Sequence, residues 1–112
     1  MLYELRIYHM HPGRLPAIHK RFSVVTLNLF KRHGIKVCDF FEDADGAEKI
    51  YYICEFADRA KRDEAFASFG DDPEWKTAFE KSHADGGPVV ERIESIFMTR
   101  VPYITPNWDC IV

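Results

Sequence analysis

Two sets of side chains in this sequence could do chemistry: the charges Glu4, Arg6, Glu55, Arg92 and Glu94, and the histidines His9, His11, His19, His33 and His83. The charges fall in stretches rich in β-forming residues, so they could meet as an acid–base cluster on one sheet. Charges of opposite sign on neighbouring strands pair structurally more often than they catalyse. Arg6 is therefore expected to pair with Glu55 or Glu94. His9 and His11 are two apart, a spacing that can chelate a metal, but no carboxylate or cysteine accompanies them and they read as a solvated turn. His19, Thr26 and His33 recur every seven residues and form a polar border on a helix. His83 falls near a helix end, where positive charge suits the dipole. No Ser/His/Asp order, phosphate-binding glycine loop or paired catalytic carboxylates stand out. No metal is expected.

The elements that must position these groups are legible from periodicity. Leu2 to Met10 alternates as a strand, with Tyr3, Leu5, Ile7 and His9 assigned to the core and Glu4, Arg6 and Tyr8 to the opposite face. Arg14 to His33 is a helix with Leu15, Ile18, Phe22, Val25 and Leu29 at helical spacing. Pro16 is tolerated in its first turn and Gly34 closes it. Ile35 to Glu42 and Lys49 to Phe56 make a hairpin across Asp43-Ala44-Asp45-Gly46. Asp58 caps a short helix with Ala65, Phe66 and Phe69 inward. Asp72 then caps another, with Pro73 at its first position and Trp75, Ala78, Phe79 and Ser82 on one face. Gly86-Gly87-Pro88 breaks that helix, and Val89 to Arg100 is the last strand.

Strand, helix, strand, strand, helix in two pieces, strand is the split βαβ order. The fold class is α+β: a ferredoxin-like four-stranded antiparallel sheet with helices on one face. The other face is open. It is expected to carry Glu4, Arg6, Tyr8, Tyr51, Ile53, Glu55, Arg92, Glu94 and Ile96, charges of both signs mixed with more large aromatic and branched groups than a solvated face ordinarily holds. A second copy closing sheet-on-sheet would cover them, so a homodimer is expected. On the helix side, Phe22, Tyr52, Trp75, Phe79 and Phe97 are mostly core. With His9, they are also the candidates to border a cavity between Trp75 and the sheet.

Composition narrows the classes. The 112 residues fit one domain, 46% hydrophobic and 14% aromatic, with a net charge of −3. No basic footprint for nucleic acid or a membrane surface is present, and no apolar run approaches a membrane span. The opening Met1-Leu2-Tyr3-Glu4-Leu5-Arg6 lacks the build of a signal peptide. Cys38, Cys54 and Cys110 are widely spaced and read as free thiols, so a cytoplasmic location is expected.

Tyr3-Glu4-Leu5-Arg6-x-Tyr8, Pro12-Gly13, Arg32-His33-Gly34 and Asp72-Pro73-Glu74-Trp75 together resemble the NIPSNAP family, small proteins of the dimeric α+β barrel superfamily. The resemblance covers residues 1–101 and leaves 102–112 as a C-terminal tail. It implies the dimeric barrel pairing and a protein of undefined biochemical role. Related barrels include cofactor-free monooxygenases, isomerases and haem-degrading enzymes. His83 stands about where a haem-ligating helix histidine sits in such barrels, but no cofactor is expected. The leading expectation is a homodimer that binds a small, largely apolar molecule. The alternatives are a cofactor-free monooxygenase or isomerase, or a protein interaction module.

Overall fold

The computed structural model describes residues 1–107. Trp108 and Cys110 lie outside the described residues. The alternating opening stretch forms β1 (Leu2–Met10), and the hairpin forms β2 (Lys36–Glu42) and β3 (Lys49–Phe56). The last strand is β4 (Val90–Met98). They make one antiparallel sheet in the order β2-β3-β1-β4. Cys38 is the extra residue of a bulge in β2 between Val37 and Asp39, which resets the side-chain alternation there.

The first helix runs in three parts: α1 (Leu15–Arg21), a π turn (Phe22–Thr26) and α2 (Leu27–Arg32). Leu27 N–H reaches back five residues to the carbonyl of Phe22, and Thr26 Oγ1 donates to the carbonyl of Arg21 at 3.2 Å. The sequence periodicity foresees the helix but not this wider turn. Asp58 starts α3 (Arg59–Gly70) by accepting Lys61 N–H at 2.8 Å. Asp72 starts α4 (Pro73–Ala84) by accepting Glu74 N–H at 2.9 Å, with Pro73 in the first turn as expected. The same carboxylate bonds His33 and Arg32, which ties the end of the first helix to the head of α4. The hydrogen bond from His33 is the chief reason the Asp72 carboxyl lies below its ordinary pKa.

All the helices lie on one face of the sheet, and the core fills the space between. Ile18, Phe22, Leu29 and Phe30 of the first helix meet Ile50, Tyr52, Cys54 and Phe56 of β3 and Phe69 of α3. Tyr52 is stacked on Phe40, 5.1 Å between centroids, and meets Phe22 edge-on at 5.4 Å. Cys54 is wholly buried, and that burial pushes its thiol up to about 12. It should be inert in the native protein. Cys54→Ala should leave the number of thiols titrated under native conditions unchanged and lower the denatured count by one.

The register corrects one face assignment. Glu4 stands opposite Cys54, Arg6 opposite Tyr52 and Tyr8 opposite Ile50, so Glu4, Arg6 and Tyr8 point at the helices and not at the open face. Tyr3, Leu5, Ile7 and His9 stand opposite Glu55, Ile53, Tyr51 and Lys49 and lie on the open-face side instead. The residues read on β3 and β4 keep their places: Tyr51, Ile53 and Glu55, with Arg92, Glu94 and Ile96, face outward.

Candidate ligand groove

The inward turn of β1 builds a buried polar cluster under α3. Glu4 is 0% exposed. Arg62 of α3 grips it with two bonds, Nε to Oε1 at 2.8 Å and Nη2 to Oε2 at 2.9 Å. Arg6 Nη1 donates to the same Oε2 at 2.9 Å, and Ser95 of β4 donates its hydroxyl there too. Burial is the largest influence on this carboxyl and would raise its pKa. The bonds from Arg62 and Ser95, with the charge of Arg6, outweigh it and hold the pKa below the ordinary value. Arg6 thus pairs with Glu4 from its own strand, not with Glu55 or Glu94. Glu55 bonds Lys36, and Glu94 bonds His9 and Arg92, all on the open face.

From Arg6 the network continues inward. Its Nε donates to Tyr52 Oη at 2.7 Å, and the Tyr52 and Tyr8 hydroxyls are 2.8 Å apart. Burial above all, with Tyr8 beside it, drives the Tyr52 phenol well above its ordinary pKa. Tyr52 therefore stays neutral and serves as a hydrogen-bonding strut in a packed core, not as a base.

A concave site lies farther out, between the first helix and α4, with a volume of about 710 Å³. That is within the range of about 300–1,000 Å³ in which proteins hold small molecules. Ala17, Val24 and Val25 form one wall and Pro73, Thr77 and Ala78 the other. At one end Arg14 closes α4: its Nη2 donates to the carbonyls of Ser82 at 2.6 Å and Gly87 at 3.2 Å. Gly86 permits this closure, because a Cβ there would stand 2.5 Å from Arg14 Nη1. Beside Arg14, the Arg21 guanidinium lies over Trp75 at 5.0 Å and Phe79 at 5.5 Å and donates from Nη1 to Ser82 Oγ at 3.1 Å.

The expected pocket residues are distributed differently. Phe22 and Tyr52 are packed core, and Phe97 lies under Arg59, 3.5 Å from ring centroid to guanidinium carbon. His9 is on the open face with Glu94. Trp75 and Phe79 meet this groove through Arg21, which lies over both rings, so this groove does not lie between Trp75 and the sheet. Periodicity missed Arg14, Arg21 and Ser82. A signal for the last two existed: Ser82 shares the apolar face of α4, and Arg21 directly precedes the buried Phe22 in the helical stripe. The supposed polar border is three separate contacts: His19 with Glu42, Thr26 with the π turn, and His33 with Asp72.

A four-stranded antiparallel sheet in this order, covered by helices on one face and grooved between them, defines a ferredoxin-like α+β protein. The sequence matches the NIPSNAP family over residues 3–105, and the chain belongs to that family. An uncharacterized NIPSNAP domain protein from Burkholderia xenovorans superposes with a TM-score of 0.79 at 18% identity, covering 95% of this chain and 100% of that one. A NIPSNAP family protein of unknown function from Agrobacterium tumefaciens gives 0.78 at 24% identity, covering 93% and 91% of the two chains. An antibiotic biosynthesis monooxygenase gives 0.59 at 16% identity, covering 91% and 100%, a likeness of fold. Comparison with curated proteins gives no match. No helix of the described residues is long and apolar enough to cross a membrane.

Proposed function

We propose that this NIPSNAP protein is a homodimer, closed across the open sheet faces, that binds a small, largely apolar molecule in the groove between the first helix and α4. The observation that carries the binding reading is the groove itself, mainly apolar in its accessible surface, with charged side chains among its lining, and of small-molecule size. The pairing is supported by the corrected register. With Glu4, Arg6 and Tyr8 turned inward, the open face gains Leu5 and Ile7 beside Ile53. Phe41 and Ile96 remain 51% and 45% exposed there. Glu94, His9 and Arg92 give that face a polar border. An apolar patch of this kind with a polar rim suits a second copy of itself.

Native mass spectrometry of the purified protein should show twice the 13.1 kDa chain mass with a small molecule retained. Ile53→Asp, which buries a charge in the pairing face, should give monomers by light scattering at micromolar protein. A parent protein that is monomeric throughout would remove the barrel. A cofactor-free monooxygenase or isomerase would need a proton-handling group against its substrate. Among the described residues no histidine or tyrosine lines the groove, and its carboxylates and lysines, Glu74, Asp85, Lys20 and Lys81, are exposed side chains, which favours the binder.

A further inference from the structure

Arg21 is the one basic residue buried among those described, at 6% exposure. Buried cations are ordinarily paired with a carboxylate, and even the partly buried Arg6 and Arg62 share Glu4. Arg21 does not: no carboxylate among the described residues lies within ion-pair distance. Its Nη1 has a serine hydroxyl, its plane rests on two aromatic rings, and its Nε is buried with no hydrogen-bond partner. Burial chiefly, and the neighbouring Arg14 charge in part, lower its pKa. A guanidinium nevertheless stays protonated in proteins. Arg14, whose Nε is likewise buried without a partner, differs in that its Nη groups are engaged by the backbone carbonyls that end α4. The groove around Arg21 also holds Lys20 and Lys81, so four cations face two carboxylates, Glu74 and Asp85, in a chain whose net charge is −3.

We propose that Arg21 anchors an anionic head group, a carboxylate or a phosphate, carried by the apolar molecule that occupies the groove. This rests on the reading of the groove as a small-molecule site. The planar fork of a guanidinium matches both anions, and the side chain is already held by Trp75, Phe79 and Ser82, so little ordering is left to occur on binding. The apolar body then lies along Ala17, Val24 and Ala78.

The test titrates the full chain with decanoate, decyl phosphate and decan-1-ol, each below its micelle concentration, by isothermal calorimetry. At least one anion should bind tenfold or more tighter than the alcohol, and the tighter of the two names the head group. Arg21→Gln should bring anion affinity down to that of the alcohol while leaving the alcohol within twofold of the parent. Lys20→Gln with Lys81→Gln changes only exposed charges, so the anion preference should persist there. If that pair of changes abolishes the preference, diffuse surface charge and not Arg21 selects the anion, and the anchor is overturned even should Arg21→Gln fail to fold. If decan-1-ol binds the parent as tightly as the anions, the anchor falls while the apolar groove stands. Binding of none of the three overturns both.

Discussion

Glu4→Ala should destabilise the protein by about 3–5 kcal/mol, the cost of removing one partner from a buried ion pair. In a domain of this size that is a fall in melting temperature on the order of 10–20 °C. The carboxylate receives Arg62, Arg6 and Ser95 together, and Arg6 is itself only 12% exposed, so its charge is stranded when Glu4 is removed. Arg62→Ala should cost less, because that side chain is 21% exposed and Arg6 and Ser95 remain on the carboxylate. The pH dependence has a definite sign. The folded pKa of Glu4 is depressed, so its contribution is complete above the ordinary value of 4.5 and is lost as pH falls through the lower folded value. Urea unfolding should therefore show a smaller gap between parent and Glu4→Ala at pH 3 than at pH 7. Melting of Glu4→Ala within 3 °C of the parent at pH 7 would mean that the cluster does not hold the sheet to α3.

The second large effect is expected at Tyr52. Tyr52→Ala removes a 0% exposed ring that touches Phe22, Phe30, Phe40 and Tyr8, and emptying such a site costs about 3–5 kcal/mol. It also deprives Arg6 Nε and the Tyr8 hydroxyl of their partner. Against the total stability of about 5–15 kcal/mol typical of a domain, this variant should be at the edge of folding. Tyr52→Phe separates the two contributions. It keeps the ring and loses only the hydroxyl, and should cost about 1–3 kcal/mol, the penalty for polar groups left unpaired. Chemical denaturation of both variants measures the difference. Equal losses would show that the hydroxyl network, and not the packed ring, carries Tyr52's share of the stability.

These two residues also show what could be read from the sequence and what could not. Tyr52 belongs to a strand whose alternation and β-branched content fix its inward face, and the structure agrees. The capping aspartates, Asp58 and Asp72, act within three residues of themselves, so local chemistry revealed them. Glu4 is different. Alternation divides β1 into two sets but does not say which set faces the helices, and the more apolar set, Leu5 and Ile7, was the natural choice for the interior. The deciding partners are Arg62 and Ser95, 58 and 91 positions away along the chain. A charge goes inside only where a distant element brings its counter-charge, and periodicity carries no such information. Arg21 was hidden for the same reason: its neighbours Trp75, Phe79 and Ser82 come from α4, and they are side chains that would not ordinarily summon a cation.

The π turn has a consequence for which kinds of mutation the gene can accept. Each α-helical residue turns by about 100°, so in an unbroken helix Phe30 would stand about 120° round from Ile18. The extra residue of the π turn winds the second half back by about one step, which brings Phe30 over the core beside Ile18. The helix thus has a phase to keep, much as a coding sequence has a reading frame. Ser23 and Val24 are exposed within the turn, and exchanges of one side chain for another there leave that phase alone. Deleting either residue is a frameshift in space. It would swing Phe30 away from Phe69 and His33 away from Asp72, and so part the first helix from both helices that follow it.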